Sequence, residues 1–211
     1  METNVVYECK SDDMIDHIQK DIPIKTKFIP KGTIYYERRE GGLSIYVIEQ
    51  TPRTTRIKYR AKRAGETKSE IFRVAMPFLY FAILAVDATE ARIKAVFPFC
   101  SKKPIRDFKD PIYVAPVTNI HETGNGAMCT GSIEGMAGRV PIFALVEKAM
   151  EAIYDSEWND DVTTNFPPEL KDFKSWDKLS MENPLIWSTA NYTQHARKNL
   201  DGMVDFVLKL R

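Results

Sequence analysis

Two apolar segments, "FLYFAILAV" at 78–86 and "ARIKAVFPF" at 91–99, stand on either side of a charged break from Asp87 to Glu90. Aromatic and β-branched residues dominate both, a composition that fits a pleated surface better than a helix. They are expected to be central strands. The residues before them continue the theme. "KTKFI" (25–29) and "TIYYERR" (33–39) are punctuated by Pro30 and Gly32, and "LSIYVIEQ" (43–50) follows the turn signal Gly41-Gly42. This pattern predicts a hairpin or meander with an N-terminal β extension.

In "RTTRIKYRAKR" (53–63), Arg56, Lys58 and Arg60 alternate with Ile57 and Tyr59. On a strand that places the cations on one face and the apolar residues on the other. A solvated sheet face is the expected role, because charged residues are mostly exposed; the functional alternative is a docking surface for an acidic partner. Further on, "IYVA" (112–115) reads as a short strand. Ile142, Leu145, Val146, Ala149 and Ile153 then recur at helical spacing behind Pro141, which a first helical turn tolerates. Residues 155–190 show no sustained period and are expected to be an ordered loop packed by Trp158, Phe166, Phe173 and Trp176. "TQHARKNLDGMVDFVLKLR" closes the chain as an amphipathic helix, marked by Leu200, Met203, Val204, Val207 and Leu208.

At 211 residues the chain suits a single domain spanning 1–211, with the loop and helix of 166–211 attached to its core. Thirty basic residues against 29 acidic ones leave a formal net charge of +1, so no global field draws the protein to nucleic acid or to an anionic membrane. The three cysteines, Cys9, Cys100 and Cys129, are too few and too odd in number for a disulfide framework, which points to a reducing compartment and a cytoplasmic location. The N-terminus "METNVVYECKSDDMIDH" has no apolar signal-peptide core, and the longest apolar run, 75–86, is too short to cross a bilayer. A soluble protein is expected.

The chemistry concentrates in "APVTNIHETGNGAMCTG" (115–131). Gly126 to Gly131 has the spacing of a phosphate-binding GxxxxG loop, but Ser132-Ile133 replaces the lysine and hydroxyl residue that such a loop needs. Gly124 and Gly126 likewise begin a dinucleotide fingerprint, with Cys129 in the third glycine's place. His17, His121 and His195 make none of the usual metal-ligand pairings with the scattered cysteines. No cofactor or metal is therefore expected. Cys129 itself has two readings: a small buried hydrophobe, common for a free cysteine, or a nucleophile. Gly124 and Gly126 can keep the backbone open around a thiol, and the Asn119 amide is a donor able to stabilise an oxyanion. A Cys129/His121 pair for hydrolysis is a further alternative.

The order Asn119-Ile120, Gly126, Cys129 resembles the active-site segment of ubiquitin-conjugating enzymes, His-Pro-Asn-Ile, a short turn with Gly, then Cys. Val117-Thr118 stands here in place of His-Pro. The segment "IYVAPVTNIHETGNGAMCTGS" is more similar still to a prokaryotic branch of that family, the PRTRC system protein B type, also called prokaryotic family D. The likeness runs from "YVIEQTPRTTRIKY" through "FALVEKAMEAIYDSEWNDD", within residues 30–165. The resemblance implies an α+β fold, an antiparallel β-meander packed against helices. It implies a thioester between Cys129 and a ubiquitin-like protein received from an activating-enzyme-like protein, with Asn119 as oxyanion donor, His121, Gly124 and Gly126 in support, and no cofactor. It implies a bacterial or mobile-element system. An inactive binding module of the same fold is the alternative from another class.

Overall fold

The computed structural model describes residues 29–60, 68–86, 90–117, 126–128, 137–138, 141–159, 170 and 172–210. Over these the chain is a mixed α+β protein, with a strongly curled antiparallel sheet and three helices. The strands are β1 (Thr33–Arg38), β2 (Leu43–Gln50), β3 (Arg53–Arg60), β4 (Ser69–Met76), β5 (Phe78–Val86), β6 (Ala91–Ser101), β7 (Pro111–Val114), β8 (Ala137–Gly138), β9 (Trp158–Asn159) and β10 (Gln194–Asn199). The helices are α1 (Ile142–Asp155), α2 (Phe173–Glu182) and α3 (Leu200–Lys209).

One long hairpin organises the molecule. β2 pairs with β5 from Leu43 opposite Val86 to Gln50 opposite Leu79, and β3 pairs with β4 from Arg53 opposite Met76 to Arg60 opposite Ser69. The register is the same in both halves. Carried across the gap, it sets Pro52 opposite Pro77, so neither arm has an N–H to donate there and the ladder breaks. The inner half joins the larger sheet, ordered β1-β2-β5-β6-β7-β10, and the outer half forms a second sheet, β4-β3-β9.

Alternation along the inner half feeds two cores. Tyr46, Ile48, Leu79, Phe81, Ile83 and Ala85 face one cluster, which α1 and α2 cover. Ile45, Val47, Tyr80, Ala82 and Leu84 face the other, which α3 covers with Leu200, Met203, Val204, Val207 and Leu208. Cover on both faces explains why β5 reads as an unbroken apolar run. The register of β6 slips by one residue at Lys94, where Leu84 pairs with Ala95 but Ala85 with Ile93. This bulge keeps Ile93, before it, and Val96, beyond it, on the same side.

Two expectations are corrected. Residues 155–190 are not simply a loop, because α2 runs from Phe173 to Glu182, with the Asp172 carboxylate accepting the Ser175 N–H at 2.7 Å as its N-cap. Trp158, Phe173 and Trp176 are buried as expected, while Phe166 lies outside the described residues. The terminal segment is only half helical: Gln194–Asn199 is strand β10, paired antiparallel with β7, before α3 begins. "KTKFI" lies outside the described residues apart from Ile29.

Candidate functional site

Cys129, Asn119, His121 and Gly124 lie outside the described residues, so the site is built from its neighbours. These line up along one edge of β6. β5 takes one side of β6; the other side is met successively by β7 at Phe99 and Cys100, by Met128 at Val96, and by β8 at Arg92 and Ala91. The Met128 N–H donates to the Val96 carbonyl at 2.7 Å. Ala127 and Met128 are both buried and alternate in strand fashion, Ala127 toward the α3 core and Met128 toward the α1 core. Val117 is fully buried in the same cluster as Met128 and Val96. The residue two before Asn119 and the residue just before Cys129 are thus both buried in the core that α1 and α2 cover.

Gly126 has φ of 75°, the left-handed region that glycine enters without steric cost. A Cβ built there would meet nothing within 4 Å. There is thus open space at Gly126 itself. After the motif, Pro141 sits at the N-cap of α1, and Ile142, Leu145, Val146, Ala149 and Ile153 are buried as the spacing predicted.

Cys100 is a packed thiol. It is fully buried on β6, its thiol donates to the Val114 carbonyl at 3.2 Å, and desolvation pushes its pKa up, away from the thiolate. His195 is half-buried on β10. Desolvation, and then the Arg197 charge, lower its pKa to about 4, and its Nδ1 accepts the Arg197 N–H at 3.1 Å. Among the described residues no three His, Cys, Asp or Glu side chains group as metal ligands, and no helix is long and apolar enough to cross a membrane.

The cationic face of β3 is as the alternation predicted: Arg56, Lys58 and Arg60 are exposed, and Ile57 is buried. Its two ends differ. Glu157 holds Lys58 at 3.4 Å and Arg60 at 3.0 Å. The Ser69 hydroxyl bonded to it, and then those two cations, keep its carboxyl below the usual range. Arg56 instead lies directly opposite Arg73 of β4. Both border an open depression of about 530 Å³, together with Thr54, Ser180, Met181 and Pro184. Arg73 escapes a reading of the sequence, although the mirrored Pro52 and Pro77 carry the register that pairs it with Arg56.

The class these features define is a mixed α+β protein built on a strongly curled antiparallel sheet. No protein-family model matches the chain, and neither curated proteins nor solved structures give a match.

Proposed function

We propose that the chain is a ubiquitin-conjugating-enzyme-like protein of a bacterial or mobile-element system, carrying a ubiquitin-like protein as a thioester on Cys129. The Cys129 thiolate attacks the thioester carbonyl presented by an activating-enzyme-like protein; a new S–C bond forms, and the activating enzyme's thiolate leaves. An acceptor amine then attacks the Cys129 thioester, and the Asn119 amide donates to the oxyanion that develops before the thiolate departs. This step needs no metal or organic cofactor.

The observation that carries the reading is the anchoring of the motif. Met128 is bonded to Val96 and shares a buried cluster with Val117, which gives the motif a fixed base on either side of its glycines. An antiparallel meander, with α1 following the motif after β8, adds support.

The test is a loading assay with the activating-enzyme-like protein, ATP and the ubiquitin-like protein. Wild type forms an adduct cleaved by reductant, Cys129→Ser forms a reductant-resistant ester or none, and Cys129→Ala forms none. Asn119→Ala loads but discharges to an amine roughly ten- to a thousand-fold more slowly, the range for loss of one oxyanion donor. An adduct that persists in Cys129→Ala overturns the assignment.

A further inference from the structure

Like charges directly opposite one another on a sheet destabilise it, yet Arg56 and Arg73 are such a pair. Among the described residues neither has an ion-pair partner. The nearby Glu157 carboxylate is committed to Lys58, Arg60 and Ser69. Asp177 Oδ1 accepts the backbone N–H of Arg73 at 2.8 Å. Both side chains are exposed, so among the described residues each keeps a fork of donors for a carboxylate.

A second observation falls at the same place. The large apolar side chains that are exposed among the described residues are Ile71 (70%), Leu185 (69%) and Met181 (63%). Ile71 shares the outward face of β4 with Arg73, two residues on; Met181 lines the depression; and Leu185 follows Pro184, which also lines it. Scattered apolar residues need no explanation, but Met181 lines the cationic hollow itself, and Ile71 and Leu185 stand within two residues of its lining in sequence. Its volume of about 530 Å³ is in the roughly 300–1,000 Å³ range of ligand-binding clefts.

We propose that this hollow docks an extended acidic segment of a partner protein, with carboxylates on Arg56 and Arg73 and an apolar side chain seated against Met181 and Pro184. The apolar rim argues against nucleic acid, whose phosphates would leave it in water. It argues equally against a free inorganic anion, which would make no use of it. The Thr54 hydroxyl at the margin is a donor for the segment's backbone. The proposal stands apart from the chemistry of Cys129.

Fluorescence anisotropy with a labelled peptide of alternating Glu and Leu tests it, with Gln-Leu and Glu-Ser peptides as controls. Wild type should bind the Glu-Leu peptide saturably and each control at least ten-fold more weakly. Arg56→Glu with Arg73→Glu should lose the Glu-Leu peptide and gain a Lys-Leu peptide, a reversal that misfolding cannot produce. Met181→Ser should weaken the Glu-Leu peptide several-fold and leave the Glu-Ser peptide unchanged. The proposal is overturned by absence of saturable Glu-Leu binding, by equal binding to the charge-reversed protein, or by competition from phosphate or an oligonucleotide at equal charge.

Discussion

Replacing Gly202 by alanine sets two physical effects against each other. Gly202 is the third residue of α3, and its N–H is capped by the Asn199 side chain at 2.9 Å. Helix propensity alone would make Gly202→Ala stabilising by about 1 kcal/mol. The local geometry opposes this. A Cβ there would sit 2.3 Å from the Arg197 carbonyl oxygen and 3.2 Å from Asn199 Oδ1. The Arg197 carbonyl cannot retreat freely, because the chain turns at Lys198, a non-glycine residue held at φ of 64°. The methyl group therefore disrupts the cap, costing about 1 kcal/mol, and overpacks the corner, costing about 1–3 kcal/mol. The net expectation is a loss of about 1–3 kcal/mol. Urea unfolding followed by tryptophan fluorescence reads this as a lower midpoint at unchanged slope. Asn199→Ala, which removes only the cap, should lose about 1 kcal/mol. A Gly202→Ala protein as stable as wild type, or more so, would refute the reasoning, since propensity would then outweigh contact.

Two further outcomes are expected. His195 has a pKa lowered from 6.5 to about 4 in the folded chain, so the unfolded chain binds the extra proton in between. Stability is therefore full above about pH 6.5 and declines as pH falls toward 4; in His195→Gln, thermal unfolding across that window should show a shallower decline. Ser180 is buried and its hydroxyl accepts the Ala75 N–H at 2.8 Å. Ser180→Ala leaves that edge donor of β4 unsatisfied, so it should lower stability by about 1–3 kcal/mol in urea unfolding.

The sequence was most legible where one physical demand acted alone. β2, β5 and β6 are strands built from branched and aromatic residues, and α1 carries its buried face at clean helical spacing. α2 was hidden because its buried stripe, Phe173, Trp176 and Ser180, includes a serine chosen to cap the edge of β4 rather than to fill a core. Its two neighbours in that task, Trp176 and Trp187, both donate to the Ala75 carbonyl, a tertiary demand with no local periodicity. β10 was absorbed into the helix because "QHARKN" has no strand-like apolar alternation; its pairing with β7 decides the matter. In the candidate site, Gly126 takes the left-handed backbone that its residue type allows. Arg73 was invisible because its meaning lies across the ladder, opposite Arg56.

The far edge of β6 works like a rail with fixed studs: β7 at one end, Met128 in the middle and β8 at the other. A chain fastened at such points can change its length between them without disturbing the sheet's register, because the entropy of closing the longer span rises only by about 0.6 kcal/mol per doubling. The stretches 118–125 and 129–136, which hold Asn119 and Cys129, fall between successive studs. Either stretch can thus lengthen or shorten while the pairing of β6 with β5, Met128 and β8 stays as it is. In that sense the scaffold separates the paired strands, whose register is fixed, from the spans between them, whose length is not.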